Sequence, residues 1–289
     1  MPAHAIIELR DVDISSDGTS LIRRLSVDVA PDRVLAVVSD RADARRALGQ
    51  VLLGQTDRYE VGGDLVMDGR ELVSRVSSGT QASLHVTSIA GPLDSRTRVH
   101  ELADAETLER VQLFAINERV HALDDTDRLR AAFAQALARR PRVIVIDLPY
   151  QPHAGALYPT YSELLHRLSR DADVAFVICT DSLAVAADVA DDVLVMLDGR
   201  VVESGSVYDV CLRPAMPYVQ DLVRLTPSPH RALPEFSGFV DLTSRQGCPW
   251  VLNCREAVVR ACSQEIPAMR VVALGHSAAC HLLGERRDA

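Results

Sequence analysis

The chain has 289 residues, 47% of them apolar, so it is long enough for one large domain, or for one domain with an extension, around a sizeable core. Its formal net charge of −9, with no pattern typical of a basic face, excludes nucleic acid as the main partner. All 31 basic residues are arginines, which excludes chemistry that needs a lysine of this chain, such as a phosphate-loop lysine or a Schiff base.

The N-terminal part of the chain predicts strands followed by a helix and a hairpin. The runs IIELRDVDI and RLSVDVAPDRVLAVVSD are typical of strands, with turns at Asp17-Gly18 and Pro31-Asp32. ADARRALGQVLLG has apolar residues at helical spacing and ends at Gly54. The segment GGDLVMDGREL that follows predicts a short hairpin.

Helices and buried strands then alternate. From Arg98 to about Val120 the pattern predicts polar helical structure, and DRLRAAFAQALARRP predicts an amphipathic helix that ends at Pro141. The runs VIVID (143–147) and VAFVICT are typical of buried parallel strands, and YPTYSELLHRLSRDA between them is helical. The alternation predicts an α/β fold with a mostly parallel sheet and helices on both of its faces.

Composition changes near Thr226, where TPSPHRALPEFSG is rich in proline and serine and predicts a linker. We therefore predict an α/β domain at 1–225 and a linker with a cysteine-rich extension at 226–289, which holds four of the six cysteines. Charges near the N-terminus, and no apolar run approaching the ~20 residues of a membrane span, predict a cytosolic protein or one that sits on a membrane complex from the cytosolic side.

The segment VVSDRADARRAL (37–48) stands where a phosphate-binding loop would stand, between a strand and a helix. The loop pattern G-x-x-x-x-G-K-[ST] uses glycines for backbone approach, a lysine for the phosphates and a hydroxyl for Mg²⁺. Here those positions are Ser39, Ala44, Arg45 and Arg46. Taken alone, the segment predicts an ordinary strand-to-helix connection with a solvated basic helix start.

Two C-terminal segments carry a family resemblance. Both resemble segments of ATP-binding cassette (ABC) subunits. The first is VVESGSVYDVCLRPAMPYVQDLV (201–223), which contains Pro-x-x-Pro-Tyr. The second, GCPWVLNCREAVVRACSQEIPAMRVVALGHSAAC (247–280), matches nearly position for position. The resemblance is to the oligopeptide/dipeptide importer branch and covers nearly all of the chain. It implies an ABC-type, P-loop-like fold with a helical subdomain at about 88–140 that is shorter than in the family.

Under this resemblance most nucleotide-site positions are altered. The Mg²⁺-sensing glutamine falls on Thr87, and the Leu-Ser-Gly-Gly-Gln signature falls on LDDTD (123–127), whose acids repel phosphate. The glutamate that polarises the attacking water falls on Leu148, the next-loop aspartate on Ala154 and the switch histidine on Asp181. An adenine-stacking aromatic has no candidate near the N-terminus.

Asp147 alone keeps its family identity, as the Mg²⁺-associated acid. Phosphoryl transfer depends on positioning and charge stabilisation, so this pattern predicts no catalytic residue and a vestigial nucleotide site made of Arg45, Arg46 and Asp147. For the two arginines we expect surface ion pairs, the alternative being attraction of an anion to the helix N-terminus.

Cys248, Cys254, Cys262 and Cys280 have the spacing C-x₅-C-x₇-C-x₁₇-C. Four thiolates in a small region suit a 4Fe–4S cluster or a tetrahedral zinc ion, although the C-x₂-C pairs common in zinc sites are missing. The resemblance implies a 4Fe–4S cluster, with zinc or no metal as alternatives, in a structural role. Cys179 and Cys211 are expected to be packing residues, and His276 to be structural or to bond near the cluster.

Three functional hypotheses follow. The first is a non-catalytic ABC subunit on the inner face of the cell membrane, paired with a second ATPase subunit and transmembrane permease subunits of a peptide importer. The second is a divergent ATPase that still binds ATP, which Asp147 alone supports. The third is a stand-alone cytosolic iron–sulfur regulatory protein. ATP binding and co-purification with membrane subunits separate the three.

Overall fold

The computed structural model describes residues 5–67, 69–73, 86–88, 93–148, 157–171, 174–226 and 246–284. Its strands are β1 (Ile7–Ser16), β2 (Thr19–Val29), β3 (Val34–Ser39), β4 (Glu60–Met67), β5 (Arg70–Val73), β6 (Val86–Ser88), β7 (Val143–Asp147), β8 (Ala175–Thr180), β9 (Asp192–Leu197), β10 (Arg200–Ser206), β11 (Met269–Ala273) and β12 (His276–Ala279). The helices are α1 (Ala42–Leu52), α2 (Ala105–Arg110), α3 (Asp125–Leu137), α4 (Tyr158–Asp171), α5 (Leu183–Val189), α6 (Val207–Leu212), α7 (Pro217–Leu225) and α8 (Val259–Gln264). No helix within these ranges combines the length and the hydropathy that crossing a bilayer requires.

The strands form two sheets. The smaller sheet has the order β2-β1-β4-β5 and is antiparallel throughout. The larger has the order β11-β12-β10-β9-β3-β8-β7-β6, in which the strands from β9 to β6 are mutually parallel. β10, β12 and β11 extend it as antiparallel strands. The predicted mostly parallel sheet is therefore a mixed sheet beside a separate antiparallel one.

Short turns account for this difference, because a strand joined to the next by two residues can only pair antiparallel. At the turn between β9 and β10, Asp198 and Gly199 have φ values of +47° and +73°. A side chain at Gly199 would also place its Cβ 2.2 Å from the carbonyl oxygen of Leu21. This glycine thus lets the β9–β10 turn pack against β2.

The core lies on both faces of the parallel strands. In β3, Val34, Ala36 and Val38 pack on the face covered by α3, α4 and α5. Leu35 and Val37 point to the other face, where α1 and the antiparallel sheet cover them. Because alternate side chains of a strand point to opposite faces, a strand buried on both sides must be apolar throughout, as the all-apolar runs predict.

Helix is scarcer than predicted between Arg98 and Val120. Only Ala105–Arg110 is α-helical there, capped by Asp104, which accepts a hydrogen bond from the backbone N–H of Thr107. Gln112 then has φ +56°, which ends helical geometry. The rest of this stretch forms turns and short 3₁₀ segments, so its polar pattern belongs to exposed turns more than to helix.

The C-terminal extension joins the larger sheet through β12, where Ala278 pairs with Glu203 of β10. The Glu203 side chain is fully buried, and its Oε1 lies 2.7 Å from Nε2 of His276. The backbone N–H groups of Ala215 and Met216 also donate to this carboxylate, at 2.8 and 2.9 Å. Glu203 therefore ties together the extension, the main sheet and the segment before α7.

Changing Glu203 to glutamine is expected to lower the free energy of unfolding by about 2 kcal/mol, measured by urea titration. The amide NH₂ cannot accept the hydrogen bond that one backbone N–H now donates, and a buried donor is left unpaired. Glu163→Gln is the matched control, since Glu163 is half-exposed and, among the described residues, pairs only with Arg167 one turn away. Equal stabilities of the two variants would contradict this assignment of Glu203.

Candidate functional site

Three adjacent strands of the larger sheet end at one edge, and the segments of the predicted nucleotide site follow them. β3 ends at Ser39, before α1, and β7 ends at Asp147. β8 lies between them and ends just before Asp181. Because parallel strands present their carboxyl ends at the same edge, residues far apart in sequence meet there.

Arg45 lies at the centre of this edge with its side chain 7% exposed. Its Nε is 3.6 Å from Oδ1 of Asp147, and its Nη2 is 3.8 Å from Oδ2 of Asp181. Its Nη1 donates to the carbonyl oxygen of Ser39 at 3.4 Å. The guanidinium therefore bridges two carboxylates at the position where the lysine of an intact loop would hold phosphates.

The start of α1 carries its own anion. Oδ1 of Asp43 accepts a hydrogen bond from the backbone N–H of Ala44 at 2.8 Å, and Nη2 of Arg41 lies 2.7 Å from Oδ2. The hydrogen bond from Arg41 is the main cause that lowers the pKa of Asp43. A helix N-terminus attracts anions, and here an internal carboxylate already meets that preference.

Arg46 lies apart from this group. Its side chain is exposed and its Nε donates to the carbonyl oxygen of Ala42, one turn earlier in α1, at 3.3 Å. It makes no ion pair with any residue that the structure describes. The expectation of surface ion pairs holds for Arg45 only in part, because it pairs with Asp147 and Asp181 but from the inward face of α1. For Arg46 it is wrong among the described residues, because Arg46 bonds to its own helix. Of the three predicted residues, the structure brings together Arg45 and Asp147.

The other altered positions have structural roles where they are described. Leu148 is buried, and its backbone N–H donates to the carbonyl oxygen of Cys179 at 2.8 Å. An apolar side chain packed in the core cannot polarise a water molecule. Thr87 lies in β6, opposite Ile144 of β7. Ala154 lies outside the described residues.

At the signature position, acids begin helix α3. Asp124 caps the helix, its side chain accepting from the backbone N–H of Asp127 at 2.8 Å. Asp125 pairs with Arg128 at 2.8 Å, one turn along. Carboxylates are favourable at a helix N-terminus, so these residues stabilise α3. They also occupy the place from which a signature would offer donors to a phosphate.

All four cysteines of the extension line one small cavity beside α7, called here the cysteine pocket: Cys248, Cys254, Cys262 and Cys280. Burial raises the pKa of Cys248 to about 11 and also raises the pKa values of Cys254 and Cys280, and the neighbouring thiols add to the shifts. Thiols with raised pKa values must release protons to bind a metal. Within the described residues, no group of three or more His, Cys, Asp or Glu side chains is arranged to hold a metal ion.

Trp250 also lines the cysteine pocket, and its ring packs against Tyr218 of α7 with 4.9 Å between centroids. Its indole Nε1–H is buried and has no hydrogen-bond partner in the part of the chain that is described. A buried indole N–H normally has a partner. The four thiols and this unpaired donor thus line one small cavity, although the thiols are not arranged around a metal ion in the described residues.

The two remaining cysteines lie away from the pocket lining. Cys179 is buried in β8, where burial raises the pKa of its thiol to about 12. Cys211 is partly buried in α6, and burial raises the pKa of its thiol to about 11. His276 bonds to Glu203, so it has the structural role that was one of its two expectations. Sequence reasoning missed Glu203, whose only signal is a lone acid after two valines of a strand.

The chain is similar to known ATP-binding proteins. It is 26% identical, over 319 aligned positions, to the probable peptide ABC transporter ATP-binding protein y4tR of Sinorhizobium fredii, with 96% of this chain and 95% of that protein covered. It is 27% identical over 324 positions to the oligopeptide transport ATP-binding protein OppD of Mycobacterium bovis, with 95% and 51% covered. The chain therefore spans about half the length of the second relative and nearly all of the first.

Solved structures agree at the level of the fold. The structure of cbiO1 from Clostridium perfringens, described as part of the ABC transporter complex cbiONQ, matches with a TM-score of 0.61 at 18% identity, over 72% of this chain and 91% of that one. At this identity the match shows the fold alone. A comparison with models of known protein families found no match.

Proposed function

The chain belongs to the ATP-binding proteins of ABC transporters of the peptide-importer type, and we propose that it is a subunit of this kind that neither binds nor hydrolyses ATP. The observation that carries the proposal is the position of Arg45, whose buried guanidinium bridges Asp147 and Asp181 at the strand ends. An ion bound at Asp147 has to compete with this internal cation.

Charge around the site supports the same proposal. Asp43 supplies an anion at the start of α1, and Asp124 and Asp125 supply two more at the start of α3. These acids are exposed, so each repels a phosphate only modestly, but they also occupy the helix starts from which backbone donors would reach it, and a triphosphate loses affinity at both places. With Leu148 in the core, no glutamate follows Asp147 to activate water. Binding and hydrolysis are thereby weakened by separate changes.

A subunit without ATP chemistry can still serve a transporter through its surfaces. The resemblance implies head-to-tail pairing of two cassettes, each ATP lying between the loop of one and the signature of the other. We propose that this chain pairs with a competent ATPase subunit and with transmembrane permease subunits of a peptide importer, on the cytoplasmic face of the membrane. Its role there is structural or regulatory, because both of its nucleotide-facing segments carry acids.

We further propose that the cysteine pocket holds a 4Fe–4S cluster, with a zinc ion as the alternative. Cys248, Cys254, Cys262 and Cys280 would be the ligands, and Trp250 would donate its indole N–H to a sulfur atom of the site. Such a group would crosslink the extension, few of whose described apolar residues are buried, and electron transfer is not required of it.

Calorimetry tests the central claim. We expect the anaerobically purified full chain to give no binding heat with Mg-ATP at about 1 mM, and no phosphate release above the blank. The Sinorhizobium relative, an ATP-binding protein by name, serves as the positive control. Saturable, Mg²⁺-dependent binding that Asp147→Asn abolishes would contradict the proposal and favour a divergent ATPase.

A pull-down of the tagged chain from its native membranes distinguishes the proposed transporter subunit from the remaining alternative, a stand-alone iron–sulfur protein. Recovery of permease subunits with the chain supports a transporter subunit. If the chain stays in the soluble fraction and carries iron without any membrane partner, the stand-alone iron–sulfur protein replaces our proposal. The two experiments are independent, since the first concerns nucleotide and the second concerns assembly.

A further inference from the structure

A cleft of about 750 Å³ lies between the cassette and the C-terminal extension, and Arg45, Asp147 and Asp181 are not among its described lining residues. One wall is formed by β2 and β10, and the other by the extension around Cys248 and the segment before β11. Its volume is within the range of small-molecule sites, roughly 300–1,000 Å³. The function proposed above makes no use of it.

One end of the cleft is basic, with three arginines: Arg23, Arg24 and Arg200. Asp11 is the one carboxylate among the described lining residues, and it pairs with Arg24 at 3.3 Å. Arg23 pairs with Asp198 at 3.1 Å. The Arg200 side chain makes no hydrogen bond or ion pair with any described residue.

Arg200 is therefore a cationic side chain that has no anionic partner among the described residues. Burial, and then the neighbouring charge of Arg23, lower the pKa of its guanidinium. Asp198 and Asp13 offset this only in part, and a negative group bound beside Arg200 would further favour its charged form. A guanidinium offers parallel N–H donors that fit a carboxylate or a phosphate through two hydrogen bonds.

Other lining residues of the cleft are apolar. Ile266 and Met269 line it from the extension, and these residues are 42% and 40% exposed. Met216, just before α7, lies in the wall behind them with only 1% of its surface exposed. Methionine side chains adapt to varied apolar shapes, which suits a site for a flexible hydrocarbon. A ligand that spans the cleft needs an anionic head and an apolar body.

We propose that this cleft binds a small amphipathic organic anion, its carboxylate on Arg200 and its apolar part against Ile266 and Met269, with Met216 just beneath. Cys248 lines both this cleft and the cysteine pocket. A bound anion thus contacts the cassette and the extension together and stabilises their packing. The inference does not depend on whether the chain binds ATP.

Octanoate is the probe for the test. Inorganic phosphate, an anion without a hydrocarbon chain, and octan-1-ol, the same chain length without a charge, are the control compounds. The chain has only five methionines, so ¹³C-methyl spectra of labelled full chain resolve the site. We expect octanoate to shift the signals of Met216 and Met269 and to leave that of Met67, in the other core, unchanged. Phosphate and octanol should each bind at least tenfold more weakly.

Arg200→Gln should weaken octanoate binding at least tenfold, and Met269→Ser several-fold. Arg213→Gln is the control, because Arg213 is exposed and lies over Tyr208 outside the cleft. Met269 is exposed enough that its variant keeps the fold, so a poorly folded Arg200 variant does not end the test. Absence of shifts at millimolar octanoate, or equal binding by all three variants, overturns the proposal.

Discussion

Replacing Arg45 with leucine is expected to lower the free energy of unfolding by about 2 kcal/mol. The change leaves Asp147 and Asp181 facing one another without the cation that now lies between them. Removing one partner of a fully buried ion pair costs about 3–5 kcal/mol, but both carboxylates here are 40% exposed and keep part of their hydration. Urea unfolding of the full chain measures the loss.

A thermodynamic cycle isolates the ion pairs from simple packing effects. The double variant Asp147→Asn/Asp181→Asn leaves a buried guanidinium unpaired and should lose about 3 kcal/mol. Adding Arg45→Leu to it should restore part of that stability, because no charge then remains. A coupling energy of at least about 1 kcal/mol between Arg45 and the aspartates is expected.

Arg46→Leu is the matched control, next in sequence on the same helix, and should change stability by less than about 0.5 kcal/mol. If Arg45→Leu and Arg46→Leu are equally stable, the bridge at the strand ends contributes nothing and the proposed function loses its main support. If they differ as expected, the internal salt bridge stabilises this edge of the sheet, in line with the function that we propose.

Arg45 shows which features of the candidate site can be predicted from the sequence. Arg45 precedes the buried Leu48 by three residues and the buried Leu52 by seven, so helical periodicity alone places it on the inward face of α1. The ion-pair partners of Arg45 cannot be predicted in this way. Asp147 and Asp181 follow strands whose neighbours in the sheet depend on topology, and no local pattern gives the order β3-β8-β7.

The sequence likewise predicts the individual strands better than it predicts how they pair into sheets. The apolar runs of β3, β7 and β8 must be strands buried on both faces, and the sequence predicts them because such runs cannot be solvated. Which strands form the antiparallel sheet depends on the pairing of β1 with β2 and β4, which local turns only partly determine. Between Arg98 and Val120, buried residues such as Val99 and Val111 are supplied mostly from turns and short 3₁₀ segments, so apolar positions at helical spacing do not by themselves require a helix.

Changing Cys254 to serine is expected to remove the metal that we propose for the cysteine pocket. The wild-type chain, purified without oxygen, should hold about four iron and four sulfide per molecule and absorb near ~400 nm, and the variant less than about a tenth of that. Serine is close to cysteine in size, so packing changes little and the loss reports on ligation. Metal and sulfide analysis gives the result directly.

Cys211→Ser supplies the matched control, because Cys211 is also partly buried and does not line the cysteine pocket. It should keep the wild-type content of iron. The midpoint temperature of thermal unfolding should fall in Cys254→Ser and not in Cys211→Ser, since a group bound only by the folded chain stabilises it by mass action. One zinc ion per chain, lost in Cys254→Ser alone, would contradict the cluster and support the zinc alternative. Equal metal content in both variants would remove the pocket from consideration as a metal site, and the unpaired N–H of Trp250 would then need another partner.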